Sequence, residues 1–455
     1  MKNSLPNSVK RRDFLAQASL AFGSFLIVPR HVLGGKRPDG SLYLAPSDMM
    51  NLGFIGTGKQ VKGLSNSFLS TGEVRITAIS EVYQAKAKQF VDRVKDIYAK
   101  TPSLGNYSEI PNYQDFRELL ALKNVDAVVI ASPDHWHAAM SVRAAAAGKD
   151  IYCEKPLSLT VKEGRAMVDA TRKNKRVFQT GSMQRSWPEF RQAAELIRNG
   201  YIGEVKSIKV NVGPPPIAYD LAAEEMPMGL DFEKWLGPNS SAVPFNSELA
   251  PPLSKDVFPN WRKYKEFGGG GMTDWGAHHN DIAYWAIGLL APRDVESTVL
   301  VPPVAGGYTT FSEYEVRYTY ANGTKLSIFT TKDDSIYGAK VKLDGQRNGI
   351  RFEGTDGWIW VNRDGIKASD PELLTKPLPE NAVQLYRSAN HMENFFDCVK
   401  SRKAPICDVE TGHRSATMCH LGAIAMRTGK KLTWEAGAEK FVGAHAAEAN
   451  AYVSR

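Results

Sequence analysis

The chain has 455 residues, 43% of them hydrophobic, which suffices for two or three packed domains of roughly 100–200 residues each. Its 57 Lys and Arg against 49 Asp and Glu give a net charge of +8, but no block of five like charges occurs, which argues against a nucleic-acid-binding or polybasic membrane-binding surface. The four cysteines have no metal-ligand spacing, so we expect buried or free thiols and no metal site.

The first 35 residues differ in character from the rest of the chain. Arg11 and Arg12 stand directly before a moderately apolar run, residues 15–28, which Pro29 ends. Paired arginines ahead of a short apolar segment are typical of a twin-arginine export signal. The run is shorter than the roughly 20 apolar residues of a spanning helix, and no later stretch approaches that length. We predict a twin-arginine signal peptide at residues 1–35, a periplasmic or otherwise exported protein, and a mature form without a membrane span.

Short apolar strands alternate with amphipathic helices as far as residue 180. The predicted strands are 51–55, 74–80, 125–131, 150–153 and 177–180. The predicted helices are 59–70, 84–98 and 138–147. The run 125–131 is apolar almost throughout, as in a parallel strand that is buried on both faces. This alternation predicts a doubly wound parallel sheet of the Rossmann type.

Beyond residue 182 the pattern changes to alternating β-type runs, with helices near the end. The predicted strands are 205–212, 314–320, 325–331, 341–343, 350–353 and 358–361, and the predicted helices are 391–400 and 411–428. The fold class is therefore α/β: an N-terminal Rossmann sheet and a C-terminal α+β domain with a large, mostly antiparallel sheet. We place the first domain at 48–180, the second at 181–435 and a C-terminal tail at 436–455.

A glycine turn joins the first predicted strand to the first helix. It is Gly56-Thr57-Gly58, and Lys59 and Gln60 open the helix. Such a turn lets a pyrophosphate approach the backbone, and the helix N-terminus supplies free N–H groups. Val61 replaces the third glycine of G-x-G-x-x-G, which weakens the motif, but its place between a strand and a helix supports dinucleotide binding.

Glu81 ends the next predicted strand, where an acidic residue can accept hydrogen bonds from both ribose hydroxyls. Its charge would repel a 2′-phosphate. The sequence therefore predicts NAD as the cofactor, with NADP disfavoured.

Two further motifs follow neighbouring strands. Ser132-Pro133, with His137, follows strand 125–131, and Glu154-Lys155-Pro156 follows strand 150–153. Ligands bind beyond the carboxyl ends of parallel strands, so these residues should share an edge with the glycine turn. Farther along, a glycine run at 268–271 precedes Asp274 and His278, which are four residues apart and would share one face of a helix.

In this order and spacing the motifs resemble the glucose–fructose oxidoreductase / inositol dehydrogenase family, Gfo/Idh/MocA, over roughly residues 50–440. Residues 439–451 resemble exported bacterial members. The resemblance implies that Lys155 is the general base or proton relay at a sugar hydroxyl, with Asp274 and His278 binding that hydroxyl and sharing the proton. His279 and Asp281 are nearby alternatives.

The resemblance also implies the binding residues. The expected NAD-binding residues are Gly56, Thr57, Gly58, Lys59, Gln60, Glu81, Ser132, Pro133, His137, Glu154 and Lys155. The expected substrate-binding residues are Gln184, Arg185, Asp274, His278 and His279. The second domain would hold the sugar pocket and, through its sheet face, the interface of a homo-oligomer, a dimer or a tetramer.

Three functions fit these motifs. The first is an NAD-dependent oxidoreductase acting on a hydroxyl of a sugar or glycoside, with C3 of a hexose unit as one option, and with a tightly bound, recycled cofactor because an exported enzyme has no pool of free nicotinamide. The second is a glycosidase that uses NAD for transient oxidation and elimination. The third is a non-catalytic sugar-binding protein of the same fold.

Overall fold

The computed structural model describes residues 35–36, 42–43, 45, 48–101, 104, 109–215, 221–239, 243–255, 257–288, 291–303, 307–337 and 348–454. The predicted export signal, residues 1–35, lies outside these residues except for Gly35, which with Lys36 pairs with Leu42–Tyr43 in a short ladder. The predicted strand at 341–343 also lies outside them.

Six parallel strands form the first sheet, in the spatial order β3-β2-β1-β4-β5-β6. The strands are β1 (Met50–Ile55), β2 (Val74–Ser80), β3 (Asn112–Tyr113), β4 (Ala127–Ile130), β5 (Asp150–Cys153) and β6 (Phe178–Thr180). The helices between them are α1 (Lys59–Ser70), α2 (Gln84–Lys100), α3 (Phe116–Leu120), α4 (Asp134–Ala146) and α5 (Val161–Lys173). Neighbouring residues of β4, Val128 and Val129, enter different core clusters because successive side chains point to opposite faces. The predicted Rossmann sheet is confirmed, and its strand order reverses between β1 and β4.

Nine strands form the second sheet, in the order β13-β12-β11-β7-β10-β9-β8-β14-β15. The strands are β7 (Val205–Asn211), β8 (Asp294–Val301), β9 (Glu313–Thr319), β10 (Lys325–Phe329), β11 (Gly349–Gly354), β12 (Trp358–Asn362), β13 (Gly365–Ala368), β14 (Leu432–Glu435) and β15 (Lys440–Val442). All neighbouring pairs are antiparallel except β7 with β10, so the predicted mostly antiparallel sheet is confirmed.

Helices cover one face of this sheet and enclose the larger apolar core. They include α6 (Pro188–Arg198), α8 (Gly276–Ala286), α10 (Val409–Thr428) and the short α11 (Ala446–Asn450); α7 (Phe232–Leu236) and α9 (His391–Ser401) contribute to other core clusters. Phe395 and Phe396 of α9 pack in the core of the first sheet, although they come from the C-terminal part of the chain. Residues 436–454, expected as a tail, supply β15 and α11. The C-terminal segment therefore contributes α9 to the core of the first sheet and β15 to the second sheet.

Two of the helices absent from the sequence-based prediction, α5 and α6, have a recognisable start. Thr160 caps α5 by accepting a hydrogen bond from the Glu163 N–H, and the Glu163 side chain accepts from Leu159 N–H. Pro188 opens α6 at a position where its missing N–H costs nothing. The helix expected at 138–147 begins earlier, at Asp134, directly after Pro133.

The described residues also bear on membrane crossing, on the state of the cysteines and on metal binding. Within the described residues no helix has the length and apolar character that crossing a bilayer requires. All four cysteines are buried and free, as expected. The same part of the chain contains no group of His, Cys, Asp and Glu residues arranged to hold a metal ion.

Candidate active site

The glycine turn lies between β1 and α1 and leaves the helix N-terminus open. Gly56 has a φ of +86°, and a Cβ there would lie 2.9 Å from the carbonyl oxygen of Ala131, so the turn requires glycine. A Cβ at Gly58 would meet no atom within 4 Å. No side chain caps the first N–H groups of α1, and its first turn has no acidic residue. An anion can therefore reach these N–H groups.

Glu81 stands at the end of β2 and is held against this turn. Its Oε2 accepts hydrogen bonds from Thr57 N at 2.7 Å and Thr57 Oγ1 at 3.0 Å, and its Oε1 accepts from Tyr83 N at 3.0 Å. Thr57 is buried, so its role is to fix the carboxylate rather than to face a ligand. Oε2 thus accepts two hydrogen bonds and Oε1 one, so Oε1 retains a lone pair for a ribose hydroxyl.

One cavity of about 890 Å³ runs from the glycine turn to the end of the second sheet. Most of the predicted site residues line it, namely Gly56, Gly58, Lys59, Gln60, Glu81, Ser132, Pro133, His137, Glu154, Lys155, Gln184, Asp274 and His278. Residues predicted from the sequence in both halves of the chain therefore line the same cavity.

Lys155 and Asp274 form an ion pair in the middle of this cavity. Lys155 Nζ donates to Asp274 Oδ1 at 2.6 Å and lies 3.3 Å from the Asp274 carbonyl oxygen. Burial alone would raise the pKa of Asp274, but the nearby cations Lys155 and Arg262, with a weaker contribution from Arg363, bring it below its ordinary value. Asp274 is therefore a carboxylate at neutral pH.

His278 follows on α8, on the same side of the cavity. Helix α8 begins at Gly276, so Asp274 lies just ahead of it, yet both side chains line the cavity. Burial lowers the pKa of His278 well below its ordinary value, and the nearby Lys155 adds to this. Its Nδ1 has no hydrogen-bond partner among the described residues. His278 is thus a neutral imidazole beside the ion pair.

His137 holds the ends of β4 and β5 together. Its Nδ1 lies 2.8 Å from the Pro156 carbonyl oxygen and its Nε2 lies 3.1 Å from the Ser132 carbonyl oxygen. Burial lowers its pKa to about 4, so the ring is neutral and its single N–H can donate to only one of these two carbonyl oxygens. Besides lining the cavity, His137 positions the strand ends that carry Ser132 and Lys155.

Two expected substrate-binding residues do not line the cavity. Arg185 is 3% exposed and makes a bidentate ion pair with Asp281, with both N–O distances 2.7 Å. His279 is fully buried and stacks on Trp275. A buried arginine and aspartate neutralise each other, so this pair links β6 to α8 rather than facing a ligand. The structure therefore places Arg185 and His279, expected to contact the substrate, away from the cavity. Asp281, the alternative at the hydroxyl, is paired with Arg185 instead.

Glu154 is a buried carboxyl group with an unused oxygen. The residue is 5% exposed, and its Oε1 has no hydrogen-bond partner among the described residues. Burial raises its pKa to about 7, against the opposing effect of Lys155. An orphaned acceptor at this edge fits a ligand donor such as an amide or hydroxyl. With the open helix N-terminus and Glu81, it gives a dinucleotide suitable partners along the whole cavity.

Several lining residues were missed by sequence reasoning. They are Asp134, Trp136, Trp187, Trp235, Phe258, Arg262, Trp275 and Arg363. Burial raises the pKa of Asp134 to about 8, with Arg262 opposing the shift. Asp134 and Trp136 belong to the motif already noted after β4, so that motif could have indicated them. Arg262 and Arg363 lie in segments with no local signal.

A strap, defined as residues 229–237 and containing α7, crosses from the second domain to the dinucleotide side. Gln84 N donates to the Gly229 carbonyl at 2.9 Å, and Asp231 N donates to the Val82 carbonyl at 3.0 Å. Trp136 Nε1 donates to the Trp235 carbonyl at 3.0 Å. The strap thus closes one wall of the cavity next to the end of β2.

Two family models match this chain. One, described as an oxidoreductase family with an NAD-binding Rossmann fold, matches residues 50–182, and the other, described as the C-terminal α/β domain of the same oxidoreductase family, matches residues 217–454. The chain belongs to the Gfo/Idh/MocA oxidoreductase family. Together the two matches cover the first sheet, the second sheet except β7, and most of the residues that line the cavity.

Individual Gfo/Idh/MocA relatives match mainly one half of the chain. Myo-inositol 2-dehydrogenase of Thermotoga maritima is 30% identical over 173 residues, which are 37% of this chain and 48% of that protein. A glycosyl hydrolase family 109 protein of Shewanella baltica is 28% identical over 166 residues, which are 36% of this chain and 35% of that protein. The chain therefore matches about half or less of the length of these curated relatives.

A solved structure extends the likeness to both sheets. The WlbA dehydrogenase from Bordetella pertussis, in complex with NADH and UDP-GlcNAcA, superposes with a TM-score of 0.59 at 18% identity. The superposition covers 85% of this chain and 99% of that one. The two chains share the two-domain fold.

Proposed function

We propose that this protein is an NAD-dependent oxidoreductase that acts on a hydroxyl group of a sugar or glycoside. The observation that carries the proposal is the Lys155–Asp274 ion pair, with Nζ 2.6 Å from Oδ1, in the same cavity as the glycine turn. In this assignment residues 48–180 hold NAD, and residues 181–435 supply the substrate site and the subunit contacts of a dimer or tetramer.

The residues present fit NAD. The open N-terminus of α1 suits the pyrophosphate, Glu81 suits the ribose hydroxyls, and Glu154 offers an acceptor to the nicotinamide end. The carboxylate of Glu81 disfavours the 2′-phosphate of NADP. When bound, NAD supplies the hydride acceptor at C4 of the nicotinamide ring. The Bordetella dehydrogenase of the same fold was solved with NADH, which supports the assignment.

The chain's own residues manage the proton of the reacting hydroxyl. In this assignment Lys155 Nζ, already hydrogen-bonded to Asp274, also meets that hydroxyl: as the C–H bond breaks, the ammonium passes a proton to the Asp274 carboxylate and takes up the proton of the hydroxyl. Neutral His278 can accept or donate a hydrogen bond to the same hydroxyl without adding charge. Trp136 and Trp187 also line the cavity and offer aromatic surfaces to a sugar ring.

The test uses purified full-length protein. Mass spectrometry of the native protein and its extracted ligands identifies any bound nucleotide, and a panel of sugars and glycosides, with C3-modified hexosides included, is followed by NADH absorbance. NAD reduction by a panel member supports the proposal. Sugar binding without turnover, in protein shown to hold NAD, would instead support a non-catalytic sugar-binding protein.

A glycosidase that uses NAD transiently is the second candidate, favoured by one feature of the cavity. Asp134 lines the cavity with its pKa raised to about 8 by burial, so it is a neutral acid that can protonate a leaving oxygen at pH 7. The likeness to a glycosyl hydrolase family 109 protein points in the same direction. Release of aglycone from a nitrophenyl glycoside without net NADH would select this function.

The proposal includes the compartment. A twin-arginine signal at residues 1–35 would export the folded protein with NAD already bound, and the strap (residues 229–237) supports retention of the cofactor there. Fractionation of cells carrying the native chain or an Arg11→Lys, Arg12→Lys variant tests the route. Export of the variant at the wild-type level would refute it. Native mass spectrometry of the exported protein would give the oligomeric state.

A further inference from the structure

The substrate end of the cavity carries more positive than negative charge. Lys155, Arg262 and Arg363 line it around the carboxylate of Asp274. Asp274 Oδ1 lies 2.6 Å from Lys155 Nζ and 3.7 Å from Arg262 Nε, so this oxygen is already shared between two cations. One carboxylate cannot neutralise three cations, and charges in a partly enclosed space are weakly screened.

The other acids of the cavity do not remove this excess at neutral pH. Burial raises the pKa of Asp134 to about 8 and that of Glu154 to about 7, so both are wholly or partly protonated there. At the dinucleotide end, Glu81 is occupied by Thr57 and Tyr83, and Asp115 is paired with Arg117. The positive charge therefore remains available to a ligand of the substrate end.

Arg363 reaches the cavity from the turn between β12 and β13, at the end of the second sheet. Its guanidinium carbon lies 4.6 Å from the ring centroid of Trp275 and 5.6 Å from that of Trp187. Its hydrogen bond to Gln184 Oε1 is long, 3.5 Å, and no carboxylate of the described residues lies within 4.0 Å of it. Two indole rings thus hold an exposed guanidinium whose N–H groups are largely unused.

Arg262 approaches from the opposite segment of the second domain. Its guanidinium carbon lies 4.2 Å from the ring centroid of Trp261, and its Nη1 donates to the Pro259 carbonyl at 3.2 Å. Its remaining contact with a carboxylate is the 3.7 Å approach to Asp274. Both arginines are therefore placed by aromatic rings, which leaves donors for a further acceptor.

We propose that the substrate is an anionic sugar, whose carboxylate or sulfate group is bound by Arg363 with Arg262 while a ring hydroxyl meets Lys155 and Asp274. A guanidinium offers two parallel N–H donors, which match the paired oxygens of such a group. Trp187 lies beside Arg363, is partly exposed and offers the sugar ring an apolar surface. This inference rests on the proposed function and names its substrate class.

The experiment compares matched neutral and acidic sugars on the purified holoprotein. The probes are methyl β-glucoside, methyl β-glucuronide, galactose 6-sulfate and glucose 6-phosphate, each followed by NADH formation and by calorimetric binding. We expect a carboxylated or sulfated sugar to be preferred to its neutral partner by about 10-fold or more in kcat/KM, the size of one charge-assisted hydrogen bond. The preference should fall with added salt.

The variant arm isolates the arginine. Arg363→Gln should reduce the ratio of acidic to neutral kcat/KM by about 10-fold, chiefly through KM for the acidic sugar. Arg387→Gln, an exposed arginine outside the cavity, is the matched control and should leave the ratio unchanged. Equal rates on neutral and acidic partners, preference for the phosphate alone, or a ratio untouched by Arg363→Gln would overturn the inference. Arg363-dependent glucuronide binding without NADH formation would refute the proposed oxidation while supporting the anion site.

Discussion

Lys155 and Asp274 lie 119 residues apart in the chain, and their contact joins the end of β5 to the loop before α8. The pair matters because Lys155 helps to keep Asp274 ionised, and Asp274 holds Lys155 in the cavity where a hydroxyl can meet it. Neither residue would be distinctive alone, since an isolated lysine or aspartate is usually solvated.

Removing either member of this pair should stop the chemical step more than it weakens binding of the cofactor. For Lys155→Met and Asp274→Asn we expect kcat to fall by about 100-fold or more, the usual contribution of a positioned acid or base. NAD binding, measured by calorimetry, should change little for Asp274→Asn. Lys123→Met, an exposed lysine outside this cavity, is the control. A Lys155→Met enzyme with full hydride transfer would contradict the assignment.

Asp134 and Glu154 make the cavity sensitive to pH. Their pKa values, raised by burial to about 8 and about 7, mean that both are neutral at low pH and gain negative charge as the pH rises through these values. KM for an anionic sugar should therefore rise about 3–10-fold between about pH 6 and about pH 9. In Asp134→Asn the increase in KM at the higher pH values should disappear. If KM depended on pH in the same way in the wild-type protein and in this variant, Asp134 would not be gaining a charge.

The sequence could indicate residues that belong to compact motifs, but not residues that depend on tertiary placement. Lys155 was indicated by its position after a strand, and Glu81 by its distance from the glycine turn. Arg363 gave no signal because it lies in an ordinary hairpin turn, and only the packing of Trp275 against it brings it to the cavity. Arg185 was expected to contact substrate because its partner, Asp281, lies 96 residues later and the sequence does not indicate that the two residues pair.

At the scale of elements, the junction of β1 and α1 determines where the dinucleotide can lie. Gly56 requires its positive φ and has no room for a side chain, because a Cβ would lie 2.9 Å from backbone atoms of Ala131 and Ser132. The same junction was predictable, since an apolar strand, a glycine turn and an amphipathic helix follow one another within 20 residues. Helices α5 and α6 were missed although their buried residues follow helical spacing, as Val161, Gly164 and Val168 do in α5 and Phe190, Ala194 and Ile197 do in α6.

Gly56→Ala should therefore weaken NAD binding by shifting the turn. We expect a loss of about 10-fold or more in affinity and about 1–3 kcal/mol in stability, since both strain and overlap must be relieved. Fluorescence titration with NADH and thermal unfolding measure the two effects. Gly63→Ala, on α1 where a Cβ meets no atom within 4 Å, is the matched control. Unchanged affinity in Gly56→Ala would mean that the turn does not contact the cofactor.

The strap (residues 229–237) is a second element with a specific consequence, because it closes the cavity wall through the Trp136 Nε1 hydrogen bond to Trp235. Trp136→Phe keeps an aromatic ring but removes this donor. We expect NAD to dissociate about 3–10-fold faster, as one neutral hydrogen bond contributes about 1 kcal/mol. Stopped-flow displacement measures the rate, with Trp434→Phe, in the core of the second domain, as control. If NAD dissociated from Trp136→Phe and from the wild-type protein at the same rate, the strap would not contribute to retention of the cofactor.

At the scale of the whole molecule, an ionic network ties the C-terminal segment to the first domain. Arg165 of α5 donates to Glu439 Oε1 at 2.6 Å and to Glu410 Oε2 of α10 at 2.9 Å. His413 Nε2 lies 2.7 Å from the same Glu439 oxygen. Residues before β15 thus contact a helix that flanks the cavity-bearing sheet, which explains why the end of the chain is ordered structure rather than a tail.

This network should give the protein a stability that depends on pH. Burial alone would raise the pKa of Glu439, but hydrogen bonds from His413 and Arg165 lower it to about 2. A lowered carboxyl pKa stabilises the fold above the unfolded value of about 4.5 and loses that effect as the pH falls towards about 2. We expect Glu439→Gln to cost about 1–3 kcal/mol at pH 7 and almost nothing near pH 2. Glu435→Gln removes an exposed pair with Lys440 and should cost less than about 1 kcal/mol at either pH. Urea unfolding of the wild-type protein and of both variants at each pH measures the free energy of unfolding. If Glu439→Gln were still destabilising in acid, the loss would have to come from packing rather than from charge.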